Sequence, residues 1–514
     1  MRRASPPART SPVTVARRPS ATGVGDIMRP ILPVAVLPVP RMAPAGNASI
    51  IELMPLHAAR ALERLAGASV DAGERRAILR FVGSLFLLLT AYYILKVVRE
   101  PLILATGSAV SRSYARAAQA ALLVAVVPLY SALANRIAPA VLVQYVFLFF
   151  VTSLLAFVGL GHAGAPIGFA FFVWLGIFST MSIAQFWSLA NDLFTEAEGE
   201  RLFPLIAIGG TLGAIAGAQI ASQGIGALGP LGLMVLAALL VTGSMACTAL
   251  ASRAWRTRGQ PPGAGAVPAG DPAGTRVVHD PHSGFTLLLR DRYLLLIACA
   301  VLLVNVVNTT GDYMLAELVS RAADAASAGA ADTEAARRTW IGVFYGNFQT
   351  AISLLTALAQ MLLVARLFRW AGLERALFVL PAIVLFGYGA VALLPLLGLL
   401  AAVKVLENST EYSLQNTLQQ ALFLPTSRDA KYKAKAAIDT FVVRAGDVGS
   451  AALVWLGTSV ALGVQGFAVA NVIIGLAWLL MIVRLARRHR ALAAAHAACP
   501  GSAGSALPQG RAQS

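Results

Sequence analysis

Charged side chains interrupt an otherwise apolar run at 81–105, and their types and spacing suit the binding of an anion. Tyr92, Lys96 and Arg99 are spaced i, i+4 and i+7, and Glu100 follows Lys96 by four positions, so all four share one helical face. An arginine fork can hold two phosphate or carboxylate oxygens, while a lysine supplies a compact charge. A charge at mid-membrane costs about 2.5–3.5 kcal/mol, so this face is expected to point into a helix bundle. The alternative is snorkelling to the interface, with Glu100 neutralising Lys96.

Further polar residues occur in or beside other apolar segments and are candidate substrate contacts. They are Asp192, Asn308, Asp312, Glu411, Lys435 and Arg444. Some have a structural interpretation that stays open, because amides such as Asn308 can bond across helices. Lys404, in the same segment as Glu411, could simply pair with Glu407 or Glu411.

These residues need membrane-spanning helices to position them. The 514-residue chain is 57% hydrophobic and only 13% charged, whereas soluble domains carry about 25% charged residues. Windows of about 20 apolar residues predict twelve spans. The predicted spans are 80–99, 115–135, 139–160, 166–190, 203–222, 230–251, 293–316, 339–365, 375–395, 397–420, 434–461 and 463–486. We therefore expect an all-α membrane protein with twelve transmembrane helices in two six-helix halves.

The predicted organisation has five parts. These are a disordered basic tail and lead-in at 1–78, an N-terminal bundle at 79–251, a Gly/Pro/Ala-rich linker at 252–287, a C-terminal bundle at 288–486 and a disordered tail at 487–514. Basic residues cluster after even-numbered spans, which predicts cytoplasmic termini and linker. Arg112 and Arg116, in the first predicted external loop, do not fit this pattern. The composition of 1–50 suits a transit peptide, a disordered tail or an over-long start.

Several function classes are not indicated. Anchoring at helix ends accounts for most of the net charge of +17, so no nucleic-acid partner is expected. The three cysteines show no metal spacing, and no cofactor is expected. The sequence contains no P-loop, GxSxG, HExxH or catalytic dyad, which argues against an enzyme. Twelve spans with polar stripes instead favour alternating access around a mid-membrane site.

Three motifs together resemble the ATP/ADP translocase family of plastids and intracellular bacteria. They read ILKVVREPL at 94–102, FWSLAND at 186–192 with RLFPL at 201–205, and KYKAKAAID at 431–439 followed by Arg444. The resemblance covers 80–485 and implies a major-facilitator-like fold and nucleotide transport. It implies that Arg99 stands at an essential basic position, Asp192 at an acidic one and Lys435 at a lysine. The family's seventh-helix glutamate falls at Asn308 here, with Asp312 one turn later, and its tenth-helix Lys-Glu pair falls at 418–419.

The expected protein is thus a secondary transporter for nucleotides, with ATP/ADP-type exchange, in a bacterial inner membrane. Its partners are an anionic solute and the lipid bilayer, and we expect a monomer. One alternative is a transporter of another anionic metabolite, proton-coupled through Glu100, Asp312 or Glu411. The other is a membrane scaffold or sensor that transports nothing.

Overall fold

The computed structural model describes residues 72–134, 139–194, 196–256, 288–423, 426 and 434–498. Every regular element within these residues is helical. The predicted basic tail up to 71, the linker at 257–287, the lysine-rich segment at 427–433 and the tail after 498 lie outside the described residues. We call 72–256 the N-terminal part and 288–498 the C-terminal part.

The helices follow the apolar runs of the sequence. In chain order they are α1 Ala72–Thr106, α2 Ala109–Ala134, α3 Pro139–His162, α4 Gly168–Leu193, α5 Glu196–Arg256, α6 Arg292–Ser327, α7 Thr333–Leu358, α8 Ala365–Ala376, α9 Val379–Leu393, α10 Leu397–Thr410, α11 Asn416–Leu422, α12 Lys435–Ala437, α13 Val443–Ser459 and α14 Val464–Ala498. Wider helical turns join α7 to α8, α10 to α11 and α12 to α13. Such turns are often found at functional sites.

Seven described helical segments are long and apolar enough to cross a membrane. They are Arg75–Ala105, Val141–His162, Gly168–Leu193, Arg201–Trp255, Arg292–Ser327, Thr333–Ala376 and Val464–Leu492. Large apolar side chains such as Phe149, Met361 and Phe386 are exposed on these helices and on α9. Lipid would cover such surfaces, which agrees with the prediction of a multi-pass membrane protein.

Some helix ends differ from the predicted boundaries. The first helix begins at Ala72, before the predicted span at 80–99, and the last continues to Ala498, beyond the predicted span at 463–486. The segments predicted at 203–222 and 230–251 lie within α5, which breaks at Gly229. Gly229 has a φ of 64°, a left-handed conformation that glycine adopts without a steric penalty, and Pro230 follows it. This break turns one long helix into two apolar segments.

Small residues bring α1 and α5 into close contact. A side chain at Gly213 would collide with the backbone carbonyl of Phe86, and one at Gly217 with that of Thr90. Farther along the pair, the hydroxyl of Ser84 lies 3.0 Å from the Ser244 hydroxyl. The predicted role of the glycine stripe in helix packing therefore has a direct structural basis. This contact holds α1, with its charged face, in a defined orientation.

Candidate functional site

A polar cavity of about 310 Å³ lies between the N-terminal and C-terminal parts. Helices α1, α2 and α4 line it from one side, and α6, α7, α13 and the α10–α11 region line it from the other. Its charged lining residues are Lys96, Arg99, Arg112, Arg116 and Arg444 together with Glu100, Asp312, Glu411 and Asp447. Seven of the nine predicted site residues are thus brought together: Lys96, Arg99, Glu100, Asn308, Asp312, Glu411 and Arg444.

The carboxylate of Glu100 is held by two arginines. Its Oε2 accepts from Arg112 Nε at 2.7 Å, and its Oε1 accepts from Arg99 Nε at 3.0 Å. Glu100 is only 2% exposed, so this desolvated charge is compensated inside the protein. The guanidinium of Arg99 also lies over the ring of Phe172, 4.1 Å from its centroid. Glu100 therefore fixes both arginines beside the cavity.

Basic side chains from both parts of the chain contact Asp312 on α6. Arg116 Nη1 on α2 donates to its Oδ2 at 2.7 Å, and Arg112 Nη2 lies 3.7 Å from the same oxygen. Lys404 Nζ on α10 lies 3.2 Å from Oδ1. Arg116 Nε in turn lies 3.3 Å from Asp447 Oδ1 on α13. These ion pairs connect the two parts beside the cavity.

Lys404 forms the centre of a buried network behind Asp312. Its ammonium, 0% exposed, donates to the Asn308 side-chain oxygen at 2.9 Å and lies 3.3 Å from Glu407 Oε2. The Tyr388 hydroxyl donates to the same Glu407 oxygen at 2.7 Å. The predicted structural interpretation, a pair between Lys404 and Glu407, matches this geometry, while the contact with Asp312 also couples Lys404 to the cavity.

Lys96 and Glu411 are charged groups without an ion-pair partner among the described residues. The Lys96 ammonium lies 5.1 Å from the ring centroid of Tyr93 and 5.9 Å from that of Tyr412. The Glu411 carboxylate accepts from the side-chain amide of Asn308. Both residues line the cavity. The charges of Lys96 and Glu411 are available to a bound solute, because no counter-charge in the described structure neutralises them.

Two neutral groups on α7 also lack partners. Tyr345 and Gln349 line the cavity, and each is only 5–6% exposed. The Tyr345 hydroxyl and the Gln349 Nε2 atom form no hydrogen bond in the described structure. A buried polar group without a partner costs about 1–3 kcal/mol, so such groups favour a ligand that supplies one.

Two predicted site residues lie outside the cavity lining. Asp192 is exposed in the last turn of α4. Lys435, at the start of α12, donates to the side-chain oxygen of Gln420. Their roles in substrate binding stay predictions.

Sequence reasoning did not select Arg112, Arg116 or Asp447 as site residues. Arg112 and Arg116 were expected in an external loop, but α2 begins at Ala109 and carries both in its first turns. Their departure from the positive-inside pattern was the available signal, because basic residues are uncommon at the external end of a membrane span unless they have a specific role. Asp447 lies inside a predicted span, which by itself marks a functional candidate.

Comparison with solved structures identifies the fold as that of membrane transporters. A POT family transporter in complex with 5-aminolevulinic acid matches with a TM-score of 0.57 and 12% identity, covering 81% of this chain and 96% of the other. The nucleoside transporter NupG matches with a TM-score of 0.55 and 13% identity, covering 79% and 98%. An auto-inhibited POT family peptide transporter matches with a TM-score of 0.52 and 12% identity, covering 81% and 97%. At these identities the likeness shows the fold alone, which is helical and major-facilitator-like.

A family match makes the class more specific. The TLC ATP/ADP transporter family model matches residues 361–489, which contain the KYKAKAAID motif and Arg444, and over this range it confirms the predicted resemblance. The search of curated proteins finds no match for the chain. Over the matched residues the chain is thus similar to a family of transporters, and the solved structures that share its fold are transporters as well.

Proposed function

We propose that this protein is a secondary transporter that binds an anionic, nucleotide-like solute in the cavity between its two parts. The observation that carries this proposal is the convergence of Lys96, Arg99 and Arg444 on one cavity, together with the match to the TLC ATP/ADP transporter family. A lysine and two arginines are suited to phosphate or carboxylate oxygens. The Tyr412 ring, which lies beside Lys96 and lines the cavity, provides a flat surface for a base.

The proposed binding mode follows from which charges are already paired. Lys96 has no acidic partner in the described structure and supplies the first contact for an anion. Arg99 shares Glu100 with Arg112, so a solute would bind the part of the Arg99 guanidinium that does not contact Glu100, while Glu100 stays neutralised. Arg444 contacts Asp447 through one guanidinium nitrogen, with Nη1 3.3 Å from Oδ2. The anion would therefore add to the network without leaving a carboxylate uncompensated.

Transport would proceed by alternating access between two six-helix halves at 79–251 and 288–486. Contacts between the parts include the ion pairs of Arg116 with Asp312 and Asp447, and a hydrogen bond of 3.0 Å from the Ser222 hydroxyl to Asn347 Oδ1. Opening would break these contacts. A substrate drives that change only through a different affinity for the two states. We propose a monomer in a bacterial inner membrane, with both termini cytoplasmic.

The proposed exchange is of the ATP/ADP type, by analogy with the matched family and with the nucleoside transporter of similar fold. Asn308 occupies the position of the family's acidic residue, and Asp312 would serve in its place. Asp192 and Lys435 lie near the ends of their helices, α4 and α12, and would meet the substrate at the mouth of the path.

Counterflow in proteoliposomes tests the proposal. Vesicles preloaded with ADP and offered labelled ATP should show uptake, and Arg99→Ala should abolish it. The matched control is Arg321→Ala, because Arg321 is an exposed arginine whose partner Glu317 lies on the same helix. Absence of trans-stimulation by every nucleotide tested would overturn the exchange proposal.

A second candidate is proton-coupled transport of another anionic metabolite. It is supported by Glu411, a half-buried carboxylate in the cavity that has a hydrogen-bond donor in Asn308 but no ion pair among the described residues. Such a group can gain and lose a proton during the cycle without breaking an ion pair. Uptake driven by an imposed pH gradient and lost in Glu411→Gln would favour this candidate. Exchange that does not respond to the gradient would exclude it.

A further inference from the structure

A second cavity, of about 860 Å³, shares no lining residue with the transport cavity and lies between the α8–α9 region and residues 483–490 of α14. Arg375, Arg487, His489 and Arg490 line it, with Glu374 as the acidic residue among them. We call these five residues the arginine pocket. None of them takes part in the proposed transport site.

Local geometry brings these basic groups of α8 and α14 together. Gly372 has a φ of 70° and breaks α8, so Glu374 and Arg375 follow a change of chain direction. Arg490 donates to both oxygens of Glu374, with Nε 2.8 Å from Oε2, and this neutralises the acid. Arg375 and Arg487 are exposed and have no ion-pair partner in the described structure. The pocket therefore keeps an excess of positive charge.

A histidine that lines the pocket has one ring nitrogen without a hydrogen bond among the described residues. The Nδ1 atom of His489 is shielded from solvent and forms no hydrogen bond in the described structure. The imidazole ring lies against Tyr293, with the ring centroids 6.4 Å apart. An imidazole nitrogen next to arginines can donate a hydrogen bond to a phosphate oxygen.

The surroundings indicate where such a phosphate would come from. The turn Ala359–Val364 precedes α8 and has no buried residue, and Met361, Leu362 and Leu363 are all exposed. Trp370, which lies in the sequence between this apolar turn and the pocket residue Glu374, is 84% exposed. Exposed tryptophan at the border between apolar and basic surface is typical of the membrane interface. Acyl chains could lie along the apolar turn while a headgroup enters the pocket.

We propose that the arginine pocket binds the headgroup phosphate of an anionic phospholipid. Basic pockets between spanning helices on the cytoplasmic side of membrane proteins bind such headgroups. Arg375, Arg487 and His489 would contact the phosphate, and the Glu374–Arg490 pair would hold α8 and α14 together around it. This site is independent of the solute that the protein transports.

Binding of defined lipids to the purified full-length protein tests this site. In native mass spectrometry, a larger fraction of the protein should carry bound lipid with phosphatidylglycerol than with phosphatidylcholine at the same concentration. The double variant Arg375→Gln/Arg487→Gln should bind phosphatidylglycerol about 30-fold more weakly, given the usual contribution of each basic residue near an anionic membrane. Inorganic phosphate should not compete, since without acyl chains it lacks the apolar contacts.

The matched control is Arg321→Gln/Arg338→Gln, which removes the same charge from two arginines that pair within their own helices. Full phosphatidylglycerol binding by the pocket variant, or an equal loss in the control, would overturn the proposal. Competition by inorganic phosphate would instead identify a soluble-anion site and also overturn the lipid assignment. An unchanged melting temperature of the pocket variant in neutral detergent would show that weaker binding does not result from misfolding.

Discussion

Arg116 and Asp312 form an ion pair of 2.7 Å between α2 and α6, across 196 positions of sequence. The same arginine reaches Asp447 on α13, so one side chain joins the N-terminal part to two helices of the C-terminal part. Lys404 approaches Asp312 from behind and adds a third helix of that part. This ion pair can therefore form only while the two parts are in contact at this position.

Removing this link should favour separation of the two parts. A cysteine pair at Ser222 and Asn347, whose side chains are in contact, reports the closed arrangement through disulfide formation. In a background without Cys247, Cys299 and Cys499, Arg116→Ala should lower the crosslinked fraction. Each 1.4 kcal/mol of lost coupling corresponds to about a tenfold shift of the equilibrium.

The control for this experiment is Arg321→Ala, since the Arg321–Glu317 pair stays within one helix. It should leave crosslinking unchanged. A crosslinked fraction in Arg116→Ala equal to that of the parent would show that the Arg116 pairs do not hold the parts together.

Lys96 should contribute to binding and little to stability. It has no ion-pair partner in the described structure, so Lys96→Gln leaves no carboxylate uncompensated. Hydrogen bonds to charged groups contribute about 1.5–3 kcal/mol, and we expect affinity for an anionic solute to fall about 10- to 100-fold. Isothermal titration with the purified protein would measure this, with Lys96→Arg as the charge-retaining control.

In contrast to Lys96→Gln, Arg112→Gln should mainly reduce the stability of the protein. It removes the main partner of buried Glu100, and breaking a buried pair commonly costs about 3–5 kcal/mol. The melting temperature of Arg112→Gln should fall well below that of Lys96→Gln. Equal melting temperatures would contradict the assignment of Arg112 as a structural partner of Glu100.

Gln349→Leu should reduce solute affinity without reducing the stability of the protein. The Nε2 atom of Gln349 is buried without a partner in the described structure, at a cost of about 1–3 kcal/mol, so leucine should maintain or raise the melting temperature. Solute affinity should fall if the amide donates to the guest. Asn347→Leu is the contrasting variant, because it removes the hydrogen bond from Ser222 and should lower stability. Unchanged affinity in Gln349→Leu would remove this residue from the site.

The glycine stripe provides a prediction about stability alone. A methyl group at Gly213 would meet the backbone carbonyl of Phe86, which cannot move without displacing α1. Gly213→Ala should therefore destabilise the protein by about 1–3 kcal/mol. At Gly83 a methyl group would meet no described atom within 4 Å, so Gly83→Ala should stabilise its helix by about 0.5–1 kcal/mol. Thermal unfolding of both variants in detergent tests the difference in sign.

The sequence predicted much of the site because charges in apolar segments are costly and therefore informative. Lys96, Arg99 and Glu100 share a helical face by spacing alone, and that face does line the cavity. Asn308 and Asp312, one turn apart on another helix, were found by the same rule. Their grouping with the first helix could not be predicted from spacing, because it depends on contacts between distant segments.

Residue types and their spacing are enough to predict the helical membrane character of the chain, its apolar segments and most of the polar candidates. Hydropathy and the 3.6-residue period are local properties, and both can be read without tertiary contacts. Which charges compensate each other became clear only from the packing of the helices. Arg112 and Arg116 became part of the site because α2 begins early enough to place them beside Glu100, Asp312 and Asp447. Charge pairing depends on distances between helices, and those distances are set by packing of the whole bundle.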